Sequence, residues 1–151
     1  MVRFDDNARQ MVTDLKYHRK KPMALEIALT LVDAFHLLDE ADVLTWIPTS
    51  DQHRLDRGFD HAELIARHLG ALQSLPVKRL LRRTSQGHQT GQSRVSRLQG
   101  VTFVASPAAR CRRIVVIDDV RTTGATFVAA TQALGLRDAA SIVCLSYAFV
   151  P

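Results

Sequence analysis

The chain has 151 residues, of which 46% are hydrophobic and 23% are charged, and this length and balance are those of one soluble globular domain. No apolar run approaches the ~20 residues that a membrane span needs, and the first ten residues lack the apolar core of a secretory signal. The two cysteines, Cys111 and Cys144, form no Cys-x-x-Cys pair, which argues against a disulfide framework or structural zinc. We therefore expect a reduced, cytoplasmic protein.

The net charge of +5 is concentrated in one segment. Residues 76–113 hold nine Lys and Arg and no Asp or Glu, which leaves eleven bases against fifteen acids in the rest of the chain. A basic segment on an otherwise acidic chain suggests an anionic partner, such as a polyphosphate, a nucleic acid or an anionic surface. A solvated loop that carries arginines explains the same pattern equally well.

The first half of the chain predicts three helices and a strand. In chain order these are a helix over 5–19, a helix from Pro22 to about Asp39, a strand over 42–48 and a helix over 60–73. The segment 49–59 between the strand and the third helix is polar and is predicted to be a loop. Asp60 is the expected N-cap of the third helix, with Glu63 in the capping-box position.

The second half alternates strands with a helix around one long polar stretch. In chain order we predict a strand over 75–82, a strand over 101–105, a strand over 113–118, a helix over 124–135 and a strand over 140–147. The stretch 83–100 has little apolar periodicity and is typical of a functional loop or of disorder. This alternation predicts an α/β fold of three layers, a mostly parallel sheet with helices on both faces. The aliphatic run Ile114–Ile117 fits a strand that is buried on both sides.

Two adjacent carboxylates, Asp118 and Asp119, end that aliphatic strand, and a turn of small and hydroxyl residues follows it. In an open α/β sheet, ligands bind at the carboxyl ends of the strands. The first amides of the next helix make an anion site, and Gly124 lets the backbone approach a phosphate closely. A ribose 5-phosphate suits this combination, because the carboxylates can accept hydrogen bonds from its hydroxyls while the turn binds its phosphate.

The acidic pair is also compatible with other kinds of site. Two acids at a strand end are also typical of an Mg²⁺ pocket such as that of receiver domains. The chain has neither the Gly-x-x-x-x-Gly-Lys-Ser/Thr pattern of a P-loop nor a dinucleotide fingerprint. If C1 of the ribose carries a pyrophosphate, Mg²⁺ is expected, because it prefers oxygen ligands and phosphates.

The string VVIDDVRTTGAT (115–126) resembles the phosphoribosyl-diphosphate (PRPP) motif of type I phosphoribosyltransferases. Three further strings resemble the ComF (competence protein F) family: DLKYHRKKP, WIPTSDQHRLDRGFDHAELIARHL and QTGQSRVSRLQGVTF. The resemblance runs from about Val2 to Ala148 and implies the type I phosphoribosyltransferase fold. It further implies a small N-terminal helical hood over 1–40 and a core over 41–151 with a flexible loop at about 83–100.

The resemblance also implies roles for individual residues. Asp118 and Asp119 would contact the ribose hydroxyls, and Arg97, on the loop that closes over the site, would join them in catalysis. The residues of the turn would bind the 5′-phosphate: Thr122, Thr123, Gly124, Ala125 and Thr126. Four others would bind the pyrophosphate: Thr49, Ser50, Arg57 and Gln89. Mg²⁺ would be held mainly through PRPP and water, with Asp118 and Asp119 as candidate ligands.

Three departures from the family pattern stand out. The cysteine-rich zinc module with which family members commonly begin has no counterpart here. Asp60 and His61 stand where the family usually has Asn and Gln, and Gly100 stands where it often has Asn. Lys16 and Tyr17 match the family, but the sequence gives them no physical role.

These observations favour a phosphoribosyltransferase that uses PRPP, Mg²⁺ and an unidentified nitrogen acceptor, and we further expect a homodimer. A second hypothesis is a PRPP-binding regulatory or accessory protein without turnover, in DNA uptake as the family name suggests. A third is direct binding of single-stranded DNA by the basic segment. It is the weakest, because Phe103 is the only aromatic residue of 76–113 and such sites usually interleave aromatics with bases.

Overall fold

A central parallel sheet organises the structure, a computed structural model that describes residues 2–3, 5–17, 20–35, 41–84 and 101–150. In chain order the elements are β1 (Val2–Arg3), α1 (Asp6–Lys16), α2 (Met23–Phe35), β2 (Val43–Trp46), α3 (Asp51–Arg57), α4 (His61–Leu72), β3 (Leu81–Thr84), β4 (Thr102–Ala105), β5 (Arg113–Arg121), α5 (Ala125–Gly135) and β6 (Ser141–Phe149). The predicted α/β architecture is confirmed.

The sheet has the strand order β1-β6-β5-β2, and each neighbouring pair is parallel. β5 is central, with Ile114 opposite Val43 of β2 on one side and Ile142 of β6 on the other. Residues Ile114–Ile117 are buried, as expected for a strand that is covered on both faces. The central position of β5 fixes where the acidic pair lies.

Helices α1, α2 and α4 cover one face of the sheet. Their buried residues, which include Leu15, Ile27 and Leu69, pack in one core with Val115 and Ile117 of β5. Each buried side chain of this size contributes about 1.5–3 kcal/mol through the hydrophobic effect. Within the described ranges, no helix has both the length and the apolar character that crossing a membrane requires.

Helix α5 and an antiparallel hairpin of β3 and β4 cover the other face. Phe127 and Leu134 of α5 pack there with Ile114 and Val116 of β5 and with Leu81 of the hairpin. The two faces therefore bury alternate residues of β5, as the two-residue period of a strand requires.

Three predicted elements are wrong in part. The segment 49–59 is not all loop, because it contains α3. The Ser50 hydroxyl caps the start of this helix by accepting a hydrogen bond from His53 N, and Gly58 ends the helix in the left-handed conformation (φ 78°). The strand predicted over 75–82 begins only at Leu81; before it, Val77 makes a single parallel bridge to Leu44. β5 continues beyond 118 to Arg121, because β6 pairs with it along that length. The predicted end of the second helix and most of the loop 83–100 lie outside the described residues.

Candidate functional site

The acidic pair lies in the last part of β5. Because successive residues of a strand face opposite sides of a sheet, Asp119 lies on the face of α1 and α4 and Asp118 on the face of α5. The turn 122–124 follows, and α5 begins with Gly124 as its N-cap residue (φ 80°) and without a side-chain cap. A glycine suits this position because its backbone is left-handed.

Asp119 is almost fully buried, with 3% of its surface exposed, and each of its oxygens has partners. Oδ1 accepts a hydrogen bond from Val120 N at 2.7 Å. Oδ2 lies 2.6 Å from Lys16 Nζ and 3.1 Å from His61 Nε2, both within ion-pair distance. The last turn of α1 and the first turn of α4 thus place two positively charged or proton-donating groups on one carboxylate oxygen.

The two carboxyl groups have opposite pKa shifts. Burial alone would raise the pKa of Asp119, but the hydrogen bond from His61 and the positive charges of His61 and Lys16 lower it well below its usual range. Burial, followed by the negative charge of Asp119, raises the pKa of Asp118 well above its usual range. Asp119 is therefore held as an anion, whereas an ionised Asp118 lacks comparable stabilisation.

Both acids line a cleft with a volume of about 320 Å³, which we call the Asp118–Asp119 cleft. Thr126 of α5 lines it beside the acids, and Thr49, from the segment after β2, lines it opposite them. Arg83 of the hairpin contributes a positive charge to the wall. This volume is at the lower end of the range for small-molecule sites and suits a sugar phosphate.

Asp60 fixes the wall on which Thr49 lies. Its Oδ1 accepts hydrogen bonds from Ala62 N and Glu63 N, which confirms Asp60 as the N-cap of α4. Its Oδ2 accepts a hydrogen bond from Thr49 N at 3.0 Å. One buried carboxylate therefore joins the start of α4 to the segment after β2, so that Thr49 and His61 keep a fixed spacing.

Several solved structures share this arrangement of strands and helices. No protein-family model and no curated protein matches the sequence. A glutamine PRPP amidotransferase from B. subtilis, complexed with ADP and GMP, aligns with a TM-score of 0.58 and 19% identity over 82% of this chain and 26% of its own. A purine phosphoribosyltransferase from Pyrococcus horikoshii aligns with a TM-score of 0.53 and 15% identity, covering 84% of this chain and 81% of its own. The chain has the type I phosphoribosyltransferase fold.

A third similar structure is a hypothetical protein from Neisseria gonorrhoeae with bound ppGpp (TM-score 0.56, 14% identity, 83% of this chain and 66% of that one). The chain spans about a quarter of the length of the amidotransferase. Likeness at these identities establishes the phosphoribosyltransferase fold alone. The resemblance to the ComF family remains an interpretation of the sequence motifs.

The phosphoribosyltransferase fold brings some of the predicted site residues together. Asp118, Asp119, Thr126 and Thr49 line the cleft. Thr122 and Thr123 are exposed in the turn, where the Thr123 hydroxyl accepts a hydrogen bond from Ala125 N at 3.3 Å.

Other predicted site residues lie away from the cleft or outside the described part of the structure. The Ser50 hydroxyl caps α3, and Ser50 does not line the cleft. Arg57 is the last residue of α3, and its side chain is outside the described part of the structure. Gln89 and Arg97 lie in 85–100, also outside the described residues. The predicted roles of Ser50, Arg57, Gln89 and Arg97 in catalysis or pyrophosphate binding stay predictions.

Two residues of the site had no role in the sequence interpretation. Lys16 matched the family motif without a physical reason, and His61 was noted only as a departure from the family pattern. The signal for His61 was its departure from the family pattern next to Asp60. The signal for Lys16 was weaker, since a basic residue in the last turn of a helix is common on general grounds.

The residues of the cleft do not fit a divalent metal ion bound directly by Asp119. Ligand atoms of His61, Asp118 and Asp119 lie within 4.8 Å of one another, which is close enough for a shared ion. However, the Lys16 ammonium is 2.6 Å from Asp119 Oδ2 and would repel a second cation there. Mg²⁺ also prefers oxygen ligands to an imidazole nitrogen. The donor set instead suits a metal that arrives on the oxygens of a ligand.

Proposed function

We propose that the protein binds PRPP in the Asp118–Asp119 cleft and transfers the phosphoribosyl group to a nitrogen nucleophile with release of pyrophosphate. The observation that carries this proposal is that Asp118 and Thr126, a residue of the first turn of α5, line the same cleft. The carboxylate accepts hydrogen bonds from ribose hydroxyls, and the turn and Thr126 donate to the 5′-phosphate.

Asp118 makes the direct contact with the ribose in this arrangement. Burial and the negative charge of Asp119 raise the pKa of Asp118, and hydrogen bonds from two ribose hydroxyls would stabilise its ionised form. Asp119 stands behind it, since Val120 N, Lys16 and His61 already contact its oxygens. The pair thus divides into one acid that binds ligand and one that is held by the protein.

Departure of pyrophosphate from C1 gives a transition state with oxocarbenium character and leaves negative charge on the diphosphate. The segment that begins at Thr49 faces that end of the ligand, and Arg83 supplies a positive charge from the hairpin. When bound with the ligand, Mg²⁺ supplies further positive charge to the diphosphate oxygens. Closure of the loop 83–100, with Arg97 and Gln89, over the site would exclude water that would otherwise hydrolyse PRPP.

A second candidate function is regulatory or accessory binding of PRPP without turnover. The Neisseria gonorrhoeae structure favours it, because a protein of similar fold was found with ppGpp, a nucleotide, bound. A role in DNA uptake belongs to the same candidate and rests on the sequence resemblance to the ComF family. Homodimer formation and the nature of the acceptor are further proposals on the same basis.

Calorimetry with PRPP, with and without Mg²⁺, tests the donor site. Asp118→Asn should lower the affinity for PRPP at least about tenfold, because it removes a charged acceptor of hydrogen bonds. Asp138→Asn is the matched control, since Asp138 is exposed in the turn that follows α5 and does not line the cleft, and this variant should bind as the wild type does. Absence of heat at millimolar PRPP would contradict both candidate functions.

Pyrophosphate release across a panel of nucleobases and amides then separates the two candidates. If any acceptor gives turnover, and Asp118→Asn abolishes that turnover, the result supports the transferase. Binding of PRPP without release of pyrophosphate from any member of the panel supports the regulatory protein.

A further inference from the structure

The proposed function gives no role to the ion pair that Asp119 forms with Lys16 in the cleft. Asp119 lies on the wall of a site for an anionic, metal-carrying ligand, yet a lysine from the N-terminal helix already neutralises it. The Lys16 side chain is only 21% exposed and that of Asp119 only 4%. Burying a lysine to this extent is costly unless its charge is paired.

A divalent ion would compete with Lys16 for the same position. The carboxylates of Asp118 and Asp119 with the His61 imidazole form a ligand set that Mn²⁺ would accept. Asp119 Oδ1 already accepts a hydrogen bond from Val120 N, which leaves Oδ2, the oxygen that Lys16 and His61 approach, for an ion. The ammonium therefore stands where the ion would have to bind.

We propose that Lys16 is the resident cation of the acidic pair and keeps it free of divalent metal in the protein without ligand. Lys16 acts as a positioning residue, because it holds Asp119 ionised and in place behind Asp118 and does not itself contact the reacting atoms.

The same contact gives α1 a function at the site. Lys16 is the last residue of α1 and Tyr17, its C-cap residue, also lines the cleft. The helix is therefore attached to the carboxyl end of β5 by a charge pair in addition to its apolar contacts. The orientation of Asp119 depends on this attachment and on His61 of α4.

Binding of Mn²⁺ in the absence of PRPP, followed by electron paramagnetic resonance, tests the proposal. Lys16→Met removes the charge and keeps the length of the side chain, and Lys16→Arg keeps the charge. Lys20→Met is the matched control, because Lys20 also pairs with an aspartate, Asp14, at 3.1 Å but does not line the cleft.

The wild type, Lys16→Arg and Lys20→Met should leave the site free of Mn²⁺ in the millimolar range. Lys16→Met should bind one Mn²⁺ per chain at least about tenfold more tightly than the wild type, because a repelling charge is gone. Adding Asp119→Asn to Lys16→Met should remove that binding. With PRPP present, the wild type should take up one Mn²⁺.

The proposal would be overturned if the ligand-free wild type bound one Mn²⁺ and Asp119→Asn abolished that binding. This comparison needs no change at Lys16. A folded Lys16→Met that gains no affinity for Mn²⁺ would also overturn it; if that variant does not fold, Lys16→Gln takes its place. If PRPP binds to no form while Lys16→Met still gains an Mn²⁺ site, the proposed function fails and the assignment of Lys16 as resident cation stands.

Discussion

The two faces of the sheet give neighbouring carboxylates different surroundings. On the face of α1 and α4, Asp119 has Lys16 and His61 for partners. On the face of α5, Asp118 has a hydrogen bond from Asp119 N and lies near the half-buried Cys144 of β6. Two acids that repel each other are tolerated because the protein stabilises one of them, which leaves the other for a ligand. A single strand therefore presents a structural carboxylate and, beside it, the carboxylate that we propose to be the ligand-binding acid.

Truncation of the structural acid should have the largest effect on stability. Asp119→Ala leaves Lys16 and His61 without their shared anion in a nearly buried place, and we expect a loss of about 3 kcal/mol in the free energy of unfolding. Urea denaturation measures it. The control is Glu63→Ala, which breaks an exposed pair with Arg67 and should cost less than about 1 kcal/mol. Equal losses for the two variants would contradict the division between the acids.

Two glycines test how tightly each face is packed. A Cβ on Gly70 of α4 would overlap Val77 Cγ2 and lie 2.9 Å from the Leu75 carbonyl oxygen, so Gly70→Ala should destabilise the protein by about 1–3 kcal/mol. Gly135, the last residue of α5, has nothing within 4 Å of such a Cβ, and Gly135→Ala should stabilise by about 0.4–1 kcal/mol. Thermal unfolding of both variants decides the matter, and a stable Gly70→Ala would show that the α4 face can relax.

Substitution of the ligand-binding acid should have a smaller effect of the opposite sign. At pH 7, Asp118→Asn removes a charge that burial and Asp119 both disfavour, and the free energy of unfolding should rise by up to about 1 kcal/mol. A group whose pKa is raised on folding contributes stability below its unfolded pKa and loses it as the pH rises through the folded value. The advantage of Asp118→Asn should therefore be absent at pH 3 and grow above the ordinary aspartate range.

Asp119 gives the reverse pH dependence, because its pKa is lowered on folding. Its contribution is present above the ordinary aspartate pKa and is lost as the pH falls toward the folded value. Denaturation curves of wild type and Asp118→Asn between pH 3 and 8 separate the two groups, since the difference between the curves reports Asp118 and the variant keeps the contribution of Asp119. A constant difference across that range would show that Asp118 does not titrate differently on folding.

The features of the fold that follow local sequence patterns were predictable from the sequence. The run Ile114–Ile117 predicted the central strand, and Asp60 predicted the start of α4, because both follow local rules. The short α3 was missed because a single apolar residue, Leu55, among seven residues gives no apolar period, although Ser50 and Gly58 are typical helix boundaries. The length of β5 was underestimated because its end depends on pairing with β6.

The contacts that distinguish the two acids were not predictable. Lys16, at the end of α1, and His61, at the start of α4, both contact the same oxygen of Asp119. These residues come from three separate parts of the chain, and no local sequence pattern predicts that they meet. The motif alone located the acidic pair and the phosphate turn. Which acid is held by the protein follows only from the packing of the helices on the sheet.

The smallest expected effect concerns Cys144, which senses the charge of Asp118. Burial, and next the negative charge of Asp118, raises the pKa of the Cys144 thiol to about 11. Since the thiolate is the reactive form, a thiol reagent at pH 8 should modify the exposed Cys111 rapidly and Cys144 slowly. Asp118→Asn should accelerate the reaction of Cys144 by a small factor, because burial remains the larger cause. Ser146→Ala, at the β6 position paired with Asp118, leaves the charge in place and should not accelerate it. Equal acceleration in both variants would mean that looser packing, not the charge of Asp118, controls the reactivity of the Cys144 thiol.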